Sequence, residues 1–292
     1  MIPILEFDKL SPGDILNRDI QASENVDAAV DAVLAEVKAN GDKALKDYTK
    51  RFNGVKLENL QVTEAEIEAA WNSLDGEFIK TLEMAAENIR HFHEKQVHKD
   101  FVLTDKPGIL MGQRYTPIEK VGICVPSAPA AFPSTILMNV IPAKIAGVRE
   151  IVVVTPPDKS GAIGAEALAA AKIAGADKIF KIGGAQAVAA LAYGTESVPK
   201  VDKAVGPGGI FVATAKRKVF GQVAIDVIAG PSEILVLADG KSDPAWVAAD
   251  MLSQAEHDVL ASAARSRLSV TMIFPLSSMD LRATSRRGRR SS

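Results

Sequence analysis

Residues 120–125, Lys120-Val121-Gly122-Ile123-Cys124-Val125, and residues 150–155, Glu150-Ile151-Val152-Val153-Val154-Thr155, decide the fold of this chain. Each is a short apolar run rich in β-branched side chains, and the stretch between them holds one segment, 133–146, that suits a helix. A strand, a covering helix and a second strand make a βαβ unit, whose strands lie parallel. The rhythm continues outward. Residues 178–182, 202–205 and 234–238 read as further strands, with a shorter one at 224–228. Residues 161–174, 185–191, 211–220 and 244–257 read as helices, and Gly147, Gly175 and Gly194 stand at helix ends. The pattern predicts an α/β fold, a mostly parallel sheet with helices on both faces.

Upstream the period changes to that of helices. Val26, Ala29, Val30, Val33 and Val37 can share one face, Gly41 interrupts the run, and Asn53-Gly54 marks a turn. Thr63 followed by Glu66 has the spacing of a capping box, and a long helix is predicted over 77–98. His91, His93 and His98 fall in that charged segment and read as a solvated helix face.

The chain has 292 residues, 47% hydrophobic and 24% charged, which excludes a disordered protein. A single cysteine, Cys124, excludes a disulfide scaffold and reads as a buried small side chain. No run approaches the length of a membrane span and the first residues lack a secretory pattern, so a cytoplasmic location with no membrane partner is expected. A net charge of -2 argues against a nucleic-acid binder. That charge is uneven. Residues 1–264 carry -8, whereas 265–292, with 7 Arg, 7 Ser and one acidic residue, carry +6.

Glycine and proline cluster after the predicted strands: Pro126-Ser127-Ala128-Pro129, Thr155-Pro156-Pro157, Gly183-Gly184-Ala185-Gln186, Gly206-Pro207-Gly208-Gly209 and Ala229-Gly230-Pro231-Ser232. Open parallel sheets bind ligands beyond the carboxyl ends of their strands, where helix N-termini offer free N–H groups. Each cluster alone is also what a tight βα turn needs; five together favour a shared cleft. Neither a Gly-x-Gly-x-x-Gly fingerprint nor a Walker A sequence is present. Gln186 opens a helix and suits either ligand contact or a bond to its own backbone. Gln254 and His257 stand one turn apart, compatible with a zinc site and, from spacing alone, more simply with a helix terminus. Ser232 lacks a nucleophile-elbow context, so its hydroxyl suits substrate binding or a turn cap.

Taken together, Asn40-Gly41-Asp42, Ser134-Thr135-Ile136-Leu137-Met138, Gly183-Gly184-Ala185-Gln186-Ala187 with Tyr193-Gly194-Thr195-Glu196, Val201-Asp202-Lys203, Ala229-Gly230-Pro231-Ser232-Glu233 and Ser253-Gln254-Ala255-Glu256-His257 resemble the histidinol dehydrogenase family over about residues 10–263. The resemblance implies two Rossmann-like domains without the usual dinucleotide fingerprint, in an intertwined homodimer. Residues 1–120 and 230–264 would form the first and 121–229 the NAD-binding second. It also implies a zinc-dependent, two-step oxidation of L-histidinol to L-histidine with two NAD. Gln186 would contact NAD, with Cys124 and Gly209 on the same cofactor side; Ser232, Gln254 and His257 would bind substrate, the last two as zinc ligands.

Departures from the family pattern set further expectations. Cys124 replaces an aromatic residue, Ser127-Ala128 a glycine pair, and Gly209 an asparagine, all on the cofactor side. The family's Glu-His acid–base pair, with an Asp and a final His ligand, has no counterpart, so no catalytic residue is assigned. The match is expected to stop near residue 264, leaving out the C-terminal third of the family. Residues 265–292 would then be an aberrant, disordered basic tail and the chain impaired. A non-catalytic nucleotide- or partner-binding remnant and a related zinc-dependent polyol dehydrogenase are the alternatives.

Overall fold

The computed structural model describes residues 24–126, 132–228, 233–239, 241–255 and 262–267. They divide between Ile228 and Ala229 into two compact units. In the first unit the elements run α1 (Glu24–Asn53), α2 (Glu64–Ser73), α3 (Gly76–His93), β1 (Phe101–Leu103), β2 (Met111–Gln113), β3 (Lys120–Cys124), α4 (Pro133–Ile145), β4 (Glu150–Val154), α5 (Ala165–Ala174), β5 (Lys178–Phe180), α6 (Gly184–Tyr193), β6 (Lys203–Val205), α7 (Ile210–Val219) and β7 (Ala224–Ile225). Strands β3 to β7 form one parallel sheet in the order β5-β4-β3-β6-β7.

The two-residue period of a strand sorts its side chains between two cores. Val121, Ile123, Ile151, Val153 and Ile179 enter a core with Ala70 of α2, Leu82 and Ala86 of α3, and the apolar faces of α4 and α5. Cys124, Val152, Val154 and Phe180 enter the opposite core, with Val30, Val37 and Leu45 of α1 and most of α6. Because both faces are covered, the strands read as continuous apolar runs instead of alternating ones. Gly122 has no side chain because a Cβ there would come within 2.5 Å of a Leu191 methyl group.

Residues 60–62 protect one edge of the sheet. The Val62 N–H donates to the Ile179 carbonyl at 2.8 Å and the Lys181 N–H to the Leu60 carbonyl at 2.7 Å. The capping box at the start of α2 forms as its spacing predicts: Thr63 Oγ1 accepts from the Glu66 N–H, and Glu66 accepts from the Thr63 N–H at 2.8 Å. The predicted 77–98 helix ends at His93 and a single 3-10 turn follows. The antiparallel hairpin β1–β2 was not anticipated. Its strands are three residues each and wholly exposed, so neither carries the buried-face pattern by which a strand is read.

The expectation of two Rossmann-like domains is corrected: among the described residues there is a single Rossmann-like sheet. The second unit holds β8 (Glu233–Ala238), α8 (Pro244–Ala255) and β9 (Ser262–Arg267). Here β8 pairs with β9 as a separate parallel pair, Glu233 opposite Ser262 through Ala238 opposite Arg267. Asp243 precedes Pro244 and accepts the Ala245 N–H at 2.8 Å, a normal helix start. The expected break at residue 264 is also corrected, since β9 runs straight across it. A strand ladder joins backbone groups, so a change of side-chain composition at Arg265 does not end the pairing. Residues 268–292, the remainder of the predicted tail, lie outside the described residues.

Candidate functional site

The two ends of the parallel sheet differ in chemistry. At the amino end, acidic side chains pin the strands. Glu150 lies 3.1 Å from the Lys120 ammonium and 2.8 Å from that of Lys178, tying together the starts of β3, β4 and β5. These partners hold its carboxyl below the usual glutamate value: the hydrogen bond from Lys178 dominates, and burial opposes it. Asp202 accepts the Lys120 N–H at 2.7 Å, and Asp177 accepts the Ile151 N–H at 2.8 Å.

At the carboxyl end the strands run into glycine and proline. Gly183 packs against the Pro156 ring so closely that a Cβ would overlap it, joining the loops after β4 and β5. Gly206, at φ +105°, sits on the Cys124 carbonyl and joins the loops after β3 and β6. Neither glycine leaves room for a side chain: at Gly183 a proline ring fills the space, and at Gly206 main chain meets main chain. Gln186, in the first turn of α6, is 3% exposed. It folds against Gly184, which adopts φ +67°. Gly209 is the N-cap of α7, exposed, with open space where a Cβ would be. Cys124 ends β3 with its side chain in the core; burial pushes its thiol up to about 12, so it stays neutral. Three sequence-predicted cofactor positions therefore lie at one end of one sheet; Gly209 is exposed there, whereas Cys124 and Gln186 are buried.

Behind the 206–209 turn lies a pair that the sequence reading missed. Lys216 of α7 is 2% exposed and forms an ion pair with Asp226. Its ammonium donates to the Gly206 carbonyl at 3.0 Å, and Asp226 accepts the Gly206 N–H at 2.8 Å. The basic run Lys216-Arg217-Lys218 looks like an ordinary helix end. Arg217 and Lys218 do behave so, reaching Asp27 and Asp31 of α1 at 2.6 and 2.8 Å. The missed signal was helical spacing: Lys216 is four residues from Val212 and three from Val219, on the face that packs inward.

Of the residues expected to bind substrate and zinc, Gln254 lies half-buried in the last turn of α8, whereas Ser232 and His257 lie outside the described residues. Among the described residues no group of three or more His, Cys, Asp or Glu is placed to hold a metal ion. Two clefts, of about 410 and 450 Å³, lie away from Gln186 and Gly209; one is lined by Lys43, Lys46, Lys50 and Lys56, the other by Glu66, Ser160 and Lys181 among others.

The family model for histidinol dehydrogenase matches residues 16–272. The chain belongs to the histidinol dehydrogenase family. The histidinol dehydrogenase of Geobacillus kaustophilus is 51% identical over 260 residues, 89% of this chain and 61% of that protein. That of Listeria innocua is 53% identical over 242 residues, 83% of this chain and 56% of its own length. A crystal structure of histidinol dehydrogenase from Elizabethkingia anophelis superposes with a TM-score of 0.82 at 40% identity, covering 86% of this chain and 58% of that one. The chain thus spans about 60% of the length of these relatives. The expected boundary of the resemblance is corrected by the same match. It continues to residue 272, past the point where composition changes.

Two segments that carry the family resemblance meet in space. Thr195 Oγ1 donates to Asp42 at 2.6 Å, Ser197 donates to it through both Oγ and N–H, and Glu196 accepts the Asp42 N–H at 2.7 Å. This lock holds the kink in α1 at Gly41, where φ is 50° and a side chain would strike the Glu196 carboxylate. It fixes α1 against the loop that follows α6, the helix that carries Gln186. Among the described residues no helix is long and apolar enough to cross a membrane.

Proposed function

We propose that this chain acts as an NAD-dependent histidinol dehydrogenase of the cytoplasm, oxidising L-histidinol to L-histidine in two steps. One observation carries the reading: a family match over residues 16–272, at 51% identity to a curated histidinol dehydrogenase. The residues at the carboxyl end of the sheet fit the cofactor. Gln186 lies in the first turn of α6 against Gly184, and the exposed N-cap of α7 at Gly209 follows a turn in which main chains touch. Unsatisfied N–H groups at a helix start favour the diphosphate of a dinucleotide. NAD, when bound, supplies the hydride acceptor.

Gln186 would orient the cofactor through its amide, and the 206–209 turn would receive it through main-chain N–H groups. Cys124, neutral and buried, contributes the carbonyl on which Gly206 rests, not a redox group. Ser232 would bind substrate through its hydroxyl. Gln254 and His257, three residues apart in the sequence, would hold substrate and a zinc ion, His257 being the stronger ligand. Zinc supplies a Lewis acid beside the alcohol being oxidised. A homodimer is proposed with the same function.

The test is formation of NADH from L-histidinol, NAD and zinc by the purified chain, with histidine identified as product. Two NADH for each histidine are expected. Reduction of NAD by a simple polyol but not by histidinol would favour the related polyol dehydrogenase. Binding of NAD without any NADH would favour a non-catalytic nucleotide-binding module, and either result would overturn the proposal.

A further inference from the structure

Lys216 and Asp226 grip both backbone groups of one residue. The ammonium takes the Gly206 carbonyl and the carboxylate takes the Gly206 N–H. Removing a lysine from water is expensive, and a buried ion pair is often no more stabilising than an apolar pair of the same volume. Stability alone is therefore a poor reason to put a lysine on the inner face of α7. What the pair does hold is a geometry. Gly206 is at φ +105° against the Cys124 carbonyl, and the turn that it begins ends at Gly209, the N-cap of α7.

We propose that Lys216 and Asp226 are positioning residues, a clasp of a buried lysine and a part-exposed aspartate that pre-forms the 206–209 turn in its cofactor-receiving shape. The proposal rests on the NAD reading above. Lys216 acts through the turn and not on the phosphates, because its ammonium is already engaged by Asp226 and Gly206 at 2% exposure. Without the clasp the turn samples other shapes, and apparent affinity falls by the fraction of time it is correctly formed. A residue with this role alters cofactor binding while leaving the chemical step alone.

The experiment uses the full chain with Lys216→Met and Asp226→Asn, and Leu191→Ala as a control that weakens the core of the same unit. Amide exchange at Gly206 and in the first turn of α7 is measured beside NAD affinity by calorimetry and thermal stability. Lys216→Met is expected to weaken NAD binding by about tenfold if the turn is then formed a tenth of the time, and to speed exchange at Gly206 by at least as much. In turnover KM for NAD rises while kcat holds. Asp226→Asn has a smaller effect, because its amide oxygen still accepts the Gly206 N–H. Leu191→Ala lowers the melting temperature with NAD affinity unchanged. Exchange at Gly206 within about twofold of wild type in Lys216→Met would overturn the clasp, as would equal loss of NAD affinity in Leu191→Ala at equal loss of stability. If the wild-type chain takes up no NAD, the cofactor reading fails by itself, and Gly206 exchange still decides whether the clasp exists.

Discussion

Replacing Asp42 with alanine tests whether the lock between the α1 kink and the loop after α6 is a structural keystone of the first unit. The carboxylate accepts three donors: Thr195 Oγ1 at 2.6 Å, Ser197 Oγ, and the Ser197 N–H at 3.3 Å. Hydrogen bonds to a charged group contribute about 1.5–3 kcal/mol each when well made. The 3.3 Å bond is weak and the site is only half-buried, so the sum is discounted to about 2–4 kcal/mol. Asp42→Asn keeps one acceptor oxygen and should lose about half as much. Urea unfolding is followed through Trp71 of α2 in a Trp246→Phe background; Trp246 belongs to the other unit and is 75% exposed, so its replacement is benign. The expected result is a lower midpoint with an unchanged slope. A loss below about 0.5 kcal/mol, the range of ordinary surface substitutions, would refute the lock.

Three further outcomes follow from particular contacts. Gly122→Ala should cost about 1–3 kcal/mol through overpacking against Leu191, and adding Leu191→Ala should recover part of it, so that simple additivity in the double mutant would disprove the contact. Cys124 should not react with a thiol reagent at pH 8 in the native protein, because its pKa stands near 12, and labelling should appear only as the chain unfolds; rapid labelling of the native protein would contradict its burial. Glu150 has a folded pKa below its ordinary value of 4.5, so its contribution to stability is complete above that value and is lost as the pH falls through the folded one. Glu150→Gln should therefore flatten the acid side of the stability curve, and an unchanged acid limb would show that the carboxylate is not the group titrating.

Much was legible because strand and helix periods are local. The runs beginning at Lys120, Glu150 and Lys178, the capping box at Thr63 and the helix end at Gly175 each follow from spacing within a dozen residues. Their boundaries moved by a residue or two, as at Phe180, where β5 ends before the predicted Ile182. The hairpin β1–β2 was illegible because its residues face solvent on both sides. The second unit was misjudged because composition was taken as a guide to pairing. Arg265 and Arg267 look foreign in a list of residues, yet β9 is joined to β8 through main-chain groups that every residue carries.

By itself the sequence determined the α/β class, the parallel sheet and the placing of Cys124, Gln186 and Gly209 at or just past the carboxyl ends of three strands, because hydrophobic periodicity and turn chemistry act over short distances. Only the tertiary structure decided where their side chains go. It turned the Cys124 side chain into the core, folded the Gln186 amide against Gly184, and brought Lys216 and Asp226 onto the two backbone groups of Gly206. It also showed that Asp42 and Glu196, widely separated along the chain, secure one kink. Such pairings depend on which helix packs over which strand, and no local period carries that information.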